Sequence, residues 1–279
     1  MRFAARKPTE GVNISDEHPL VEAGTLVVGL GLIFMAIAVF LVFLVELALY
    51  VIPVETEVEM FESWLPDDIT TVAPDDPRLA KLDTMVHRLS RHWPESPYDF
   101  HVEIDDSEVM NAMALPGGLI VVTAGLLEQV ETENELAFVL AHEIAHFRNR
   151  DHMRGLGRGV LFGVMLVVIS GSEGGSNLGA TIADLTLRGF GRKQESAADD
   201  FGLRLVQQEY GHVADAWRFF ERIGEVDEET LELFAYLSTH PSPADRVTDL
   251  ITTAGENGWS VSGEITPIDW ASHCVNTNC

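Results

Sequence analysis

A chain of 279 residues with 46% apolar and 22% charged residues can build one large domain or two small ones, which excludes a disordered, collagen-like or disulfide-scaffold protein. Its 44 acidic against 18 basic residues leave a net charge of −26, so the general surface repels phosphates and nucleic acid is not an expected partner. The two cysteines, Cys274 and Cys279, lie at the very end of the chain; a thiol nucleophile or cysteine-rich metal centre in the core is excluded, and either a small terminal disulfide or two thiols is left.

From Ala23 to Val45 run 23 uncharged residues, almost wholly apolar after Leu26. About 20 helical residues cross a bilayer core, so residues 23–50 are expected to be one transmembrane helix. A cleaved signal peptide is disfavoured because 22 residues precede the run and no small-residue cleavage site follows it. Arg2, Arg6 and Lys7 lie before the helix, whereas nine acids and no base lie between Glu46 and Pro77. The positive-inside rule therefore predicts a cytoplasmic tail over 1–22 and everything after Tyr50 outside the cytoplasm, periplasmic in a Gram-negative cell.

Residues 51–77, acidic and rich in proline, read as a linker or irregular stalk. Leu79, Leu82, Val86 and Leu89 recur at helical spacing, and Phe100–Asp105 alternates as a strand. Val109–Ala114 and Leu119–Thr123 flank Pro116-Gly117-Gly118 as a hairpin-like pair. Thr132 with Glu135 predicts a capping box opening a helix that runs to about Arg150. Further helices are expected at Lys193–Glu209, Ala214–Ile223, Glu228–Ser238 and Pro243–Thr253. Gly159–Ser172 is apolar but short for a span, so it reads either as part of a core helix or as a segment dipping into the bilayer interface. Seven basic residues against three acids between Arg148 and Lys193 form a positive island suited to anionic lipid, and Gly171–Gly179 reads as a mobile loop near the cleft. A short sheet followed mostly by helices makes the fold class α+β.

Inside the capped helix lies His142-Glu143-Ile144-Ala145-His146. Residues four apart share a helix face, so both imidazoles reach one ion while Glu143 projects beside them. With one further ligand, a fourth position stays open for a water whose proton a neighbouring carboxylate takes. Two satisfied core histidines are the plain alternative. Glu195 is the strongest candidate for the third ligand: Ser196, Ala197 and Ala198 beside it allow close helix packing, and Asp199 one turn on can bond a ligand imidazole. A solvated helix acid is an equal reading of Glu195 taken by itself.

Asn111–Gly118, Thr123-Ala124-Gly125-Leu126-Leu127, the HEIAH motif, Glu195–Asp199, and His240-Pro241 with Arg246 together resemble metallopeptidase family forty-eight, over roughly residues 75–252. That family includes the heat-shock protease HtpX, the CAAX prenyl protease, and periplasmic and mitochondrial quality-control proteases. The resemblance implies a zincin-type, mostly helical domain, with one Zn²⁺ held by His142, His146 and Glu195 and with Glu143 as general base. It places His240 facing the zinc, as an oxyanion stabiliser or a displaceable inhibitory ligand, and Arg246 as a support for that loop or for the site acids. The strand edge carrying Asn111, Ala112, Met113 and Ala114 is expected to take an extended substrate as one more strand.

The expectation is therefore a catalytic domain over 78–255 with a tail over 256–279, in a membrane-anchored zinc endopeptidase whose partners are polypeptide substrates and membrane lipid. It would cleave extended or misfolded envelope proteins. A chaperone-like or scaffolding protein with a structural or latent zinc site is the alternative. Prenyl-peptide processing is disfavoured, because a single spanning helix cannot enclose a lipid-lined chamber.

Overall fold

The computed structural model describes residues 18–61, 69–170, 190–225, 240 and 243–270. The tail before residue 18, the glycine-rich loop from Gly171, the helix expected over Glu228–Ser238, Pro241 and both cysteines lie outside the described residues. By its internal contacts the chain divides into two units, Met1–Leu44 and Val45–Cys279.

The first unit is formed by helix α1 (Pro19–Val51), whose last turns belong to the second. Its most apolar 18 residues have a mean hydropathy of 3.0 and none is buried within the protein. At 1.5 Å per residue its 33 residues reach about 50 Å, more than the roughly 30 Å of a bilayer core. A core helix would hide such a surface; this one fits a membrane anchor. The helix outlasts the uncharged run at both ends, and Pro53 follows its end.

The expected irregular stalk is partly helical. Helix α2 (Val54–Phe61) buries Glu57 to 1% exposure, because that carboxylate meets Arg150, His152 and Tyr98. Asp76 then caps helix α3 (Pro77–Ser90) by accepting from the Arg78 amide at 2.9 Å, with Pro77 in the first turn.

Strands β1 (His101–Asp105), β2 (Ala112–Leu115) and β3 (Leu119–Thr123) form a mixed sheet in the order β1-β3-β2, β1 parallel and β2 antiparallel to β3. Gly117 and Gly118 turn the chain between β2 and β3 at φ 88° and 93°. A side chain at Gly117 would also strike the Phe61 carbonyl at the end of α2, so the turn is a docking surface as well as a bend.

Helix α4 (Ala124–Gln129), capped by Thr123, leads to the central helix α5 (Glu133–Arg148). Thr132 caps α5 as expected, accepting from the Glu135 amide at 3.2 Å. Glu135 does not close the box on Thr132; it accepts from the Glu131 amide at 2.8 Å and pairs with Arg222. Every residue from Asn134 to Phe147 is buried, so α5 is enclosed on all faces. Helix α6 (Asp151–Ser170) carries the second apolar stretch as part of one continuous helix. The positive island is partly used within the protein: Arg148 lies over Phe201, Arg150 pairs with Glu57 and Arg154 with Glu46.

Helix α7 (Arg192–Tyr210) packs along α5. Helix α8 (Arg218–Glu225) begins four residues later than the apolar pattern predicts, because Asp215 at φ 68° interrupts the turn before it. Helix α9 (Pro243–Glu256) packs on α7 and α8. The stretch expected as a tail folds back: the Glu133 amide donates to Thr266 O at 2.8 Å and the Ile268 amide to Glu131 O at 3.0 Å, at the entrance to α5.

Glu209 near the end of α7 ties α3 to this core, 2.7 Å from both Arg88 Nε and Arg91 Nη2 and 2.9 Å from His92 Nε2. Burial alone would raise its carboxyl, but bonds from Arg88, His92 and Arg91 outweigh this and hold it below its ordinary 4.5. A lowered folded-state pKa stabilises the fold above the ordinary value and loses that contribution as pH falls through the lowered one. Glu209→Gln is therefore expected to lower Tm at pH 7 and to flatten the fall in Tm below pH 4.5, measured by melts from pH 3 to 7.

Candidate metal centre

Three elements converge on one buried point. Helix α5 supplies His142, Glu143 and His146, all fully buried, at the spacing that stacks i and i+4 on one face. Helix α7 supplies Glu195 from its first turn, and His240 comes from the segment before α9. His142 Nε2 and His146 Nε2 are 3.1 Å apart, and His240 Nδ1 is 3.2 Å from His142 Nε2 and 3.0 Å from both Glu195 oxygens. Glu195 closes the figure at 3.5 Å from His142 and 3.7 Å from His146. Donors on a tetrahedron around an ion about 2.1 Å away stand roughly 3.4 Å apart, so this set matches a small divalent cation with nitrogen and oxygen ligands.

The approach of α7 to α5 rests on Ala198 and Gly202; Ser196 and Ala197, which the sequence also offered, face solvent. A Cβ at Gly202 would meet the His142 nitrogen at 3.0 Å and the Ala141 carbonyl carbon at 3.2 Å. Glycine lets the two backbones approach, and that distance carries Glu195 to the imidazoles.

Each ligand-candidate imidazole on α5 is held from behind. His142 Nδ1 lies 2.9 Å from Asp199, and His146 Nδ1 lies 3.1 Å from Asp151. These carboxylates accept from Nδ1–H and leave Nε2 as the donor atom toward the centre. Arg246 grips Asp199 with two bonds of 2.6 and 2.9 Å, reaches Glu195 at 3.4 Å and lies over the Phe220 ring with Cζ 4.3 Å from its centroid. Phe190 stacks on His146 at 4.0 Å between centroids. Asp151 is fixed in turn by Gln194 Nε2, which donates to it at 2.5 Å.

The electrostatics sort the groups. Burial disfavours a charged His142 and Arg246 repels it, yet Asp199 and Glu195 raise it to about 9: the pocket attracts positive charge. Burial lowers His146, and lowers His240 to about 3, leaving both neutral and able to donate a lone pair. Burial opposes ionisation of Glu195, but His240 and His142 overcome it and keep the carboxylate charged. Burial raises Glu143 to about 8, with Glu195 adding to the effect; His142 and the Ala114 amide pull the other way. Among the described residues neither Glu143 oxygen has a hydrogen-bond partner of good geometry, although both are buried. A buried carboxylate with no hydrogen bond of good geometry, 3.6 Å from His240 Nε2 at the rim of a donor cluster, fits a group that moves protons beside a bound ion.

Of the residues read from sequence, His142, Glu143, His146, Glu195, Asp199, His240 and Arg246 all meet here. Ala112 and Ala114 face the core beneath α5, whereas Met113 faces a separate cluster with Leu115, Leu119 and Val121. Asn111 bonds its own strand, accepting from the Ala112 amide at 3.0 Å. Strand β2 is at the sheet edge as expected, but all four of its residues are buried, packed by α5 and α6. Asp151, Gln194, Phe190 and Gly202 were not singled out. Only Asp151 had a signal, an acid at the turn after HEIAH.

The family model for "Peptidase family M48" matches residues 77–254, which hold every one of these groups. The chain belongs to peptidase family M48. It is 31% identical over 167 residues to the mitochondrial metalloendopeptidase OMA1 of Arabidopsis thaliana, covering 60% of this chain and 33% of that one. It is 33% identical over 152 residues to OMA1 of Schizosaccharomyces pombe, covering 54% and 44%. The beta-barrel assembly-enhancing protease of Yersinia pestis is 27% identical over 194 residues, covering 65% and 40%. The chain thus spans less than half the length of each. Membership of a metallopeptidase family implies a metal ion, and the buried histidine–glutamate cluster fits one.

The crossing at Gly202 yields a prediction. Gly202→Val is expected to cost about 1–3 kcal/mol through overpacking and to draw Glu195 off the imidazoles. Melts of metal-saturated and chelated protein should converge, because the variant gains less from the ion than the parent does.

Proposed function

We propose that this protein is a membrane-anchored zinc endopeptidase that cleaves extended or misfolded protein segments outside the cytoplasm. The observation that carries the reading is the buried cluster of His142, His146, Glu195 and His240 with the buried Glu143 carboxylate, which makes no hydrogen bond of good geometry, at its side. Three nitrogens and a carboxylate at tetrahedral spacing favour zinc over the oxygen-preferring magnesium and calcium. Family membership favours hydrolysis over the scaffolding alternative. The bases before α1 and the acids after it favour an N-terminus in the cytoplasm. Relatives named for beta-barrel assembly and for mitochondrial proteolysis support quality control of membrane or envelope proteins as the task.

In this reading His142, His146 and Glu195 hold the ion, and Asp199 and Asp151 keep the two imidazoles turned toward it. When bound, the ion supplies Lewis acidity toward the scissile carbonyl and the attacking water. Glu143 takes a proton from that water on a carboxylate oxygen and returns it to the departing amine nitrogen. The β2 edge aligns an extended substrate through backbone groups of Ala112 and Ala114, the positions whose backbones face away from β3 given the Asn111–Thr123 bond. Arg246 holds Asp199 and steadies Glu195.

Glu143→Gln should leave zinc content at one per chain and lower cleavage of casein by about a hundredfold or more; turnover at the parent rate would reject Glu143 as the base. Chelation should abolish cleavage, and zinc should restore it.

The position of His240 supports a further part of the proposal. Its Nδ1 lies within the donor set, so His240 would add a further donor to a bound ion at rest and would have to withdraw for substrate. His240→Ala is then expected to raise casein cleavage or self-cleavage several-fold. A fall in kcat with zinc retained would instead assign His240 to stabilising the oxyanion.

A further inference from the structure

The turn between α5 and α6 faces two ways. Asp151, fully buried, points inward to His146 and Gln194. Its two neighbours point toward the segment that follows the apolar helix. Arg150 donates from Nε to Glu57 Oε2 at 3.0 Å, its Nη2 lies 2.9 Å from the same oxygen as an ion pair, and Nη1 donates to the carbonyls of Leu49 and Ile52 at 2.8 and 2.7 Å. His152 Nε2 lies 2.5 Å from Glu57 Oε1, which also accepts from Tyr98 Oη at 3.2 Å. Arg150 holds φ at 54°, a left-handed conformation that a branched-out side chain keeps only where its surroundings impose it.

We infer that Glu57 is a positioning residue of the hydrolytic site: by gripping Arg150 and His152 it fixes the turn that carries Asp151, and through Asp151 the ring of His146. The inference rests on the reading of His146 as a metal donor. A carboxylate behind a ligand imidazole sets its tautomer and its aim, so its own placement governs the strength of the ligand. Asp151 cannot choose its place alone, because the residues on either side are anchored by one buried carboxylate on α2. Without Glu57, a buried guanidinium and a buried imidazole lose their shared partner, and the turn must rearrange to reach others. Arg150 also bonds the carbonyl of Leu49 in the last turn of α1 and that of Ile52 just beyond it, which links the end of the apolar helix to the same turn. The juxtamembrane segment 49–57 is thereby part of the machinery that holds the metal.

The test uses the full chain in detergent micelles, with zinc affinity from chelator competition, kcat and KM on an unstructured peptide, and Tm. Glu57→Ala and Glu57→Gln should each weaken zinc binding about tenfold or more and lower kcat with KM unchanged. Glu57→Gln preserves side-chain shape and decides the matter if Glu57→Ala fails to fold. Adding Glu57→Gln to Asp151→Asn should weaken zinc binding no further than Asp151→Asn alone. Glu209→Gln, which breaks a comparable ion network away from the turn, should lower Tm and leave zinc affinity at the parent value. Parent-like zinc affinity and kcat in the Glu57 variants would overturn the inference, as would an equal loss of affinity in Glu209→Gln. Parent-like zinc binding in both His146→Ala and Asp151→Asn would overturn the metal-site reading and this inference with it.

Discussion

An ionised carboxylate buried among imidazoles is costly unless its charge is answered on several sides, and the arrangement around Glu195 answers it. The carboxylate is 4% exposed in its side chain and meets His240, His142, His146 and Arg246 within 3.7 Å. Three of those groups have their own second partner: Asp199 behind His142, Asp151 behind His146, and Asp199 again under Arg246. The result is alternating sign, with negative groups at the centre and on the outer ring and nitrogen donors between them. Such a pattern draws in a small cation and aims its ligands before the cation arrives.

The scaffold serves that arrangement through distance. Helix α5 is enclosed on every face, so its register cannot slide without opening the core. Helix α7 reaches it over Ala198 and Gly202, and the absence of a Cβ at Gly202 sets how close Glu195 comes. The sheet lies on the other side of α5, where Ala112 and Ala114 present small side chains to the core and the Ala114 amide acts on Glu143. A larger residue on that strand would fill the space from which the carboxylate works.

Much of the site was legible along the chain because helical spacing is a local property. HEIAH places two imidazoles and a carboxylate on one helix whatever the rest of the protein does, and Glu195 with Asp199 places two acids one turn apart. His240 and Arg246 were readable through the family pattern more than through physics, since a loop histidine has no periodicity to mark it. The misreadings have one origin. The stalk looked irregular because its acids and prolines signal solvent, yet Glu57 is buried by partners some ninety residues away. Sequence also counts charges without pairing them: two bases of the positive island, Arg150 and Arg154, are paired within the protein.

Composition, the uncharged run and the helical motif were settled by the order of residues alone: an acidic protein, a helix able to cross a membrane, and two imidazoles bracketing a glutamate. These depend on the hydrophobic effect over neighbouring residues and on 3.6 residues per turn, both of which act over short separations in the chain. The tertiary structure decided which of 44 acids reach the imidazoles, which arginines are engaged, and that Glu57 of α2 meets the turn that carries Asp151. Those outcomes follow from the desolvation of charge, which only a folded interior imposes and which forces each buried ion to find its partner across the fold.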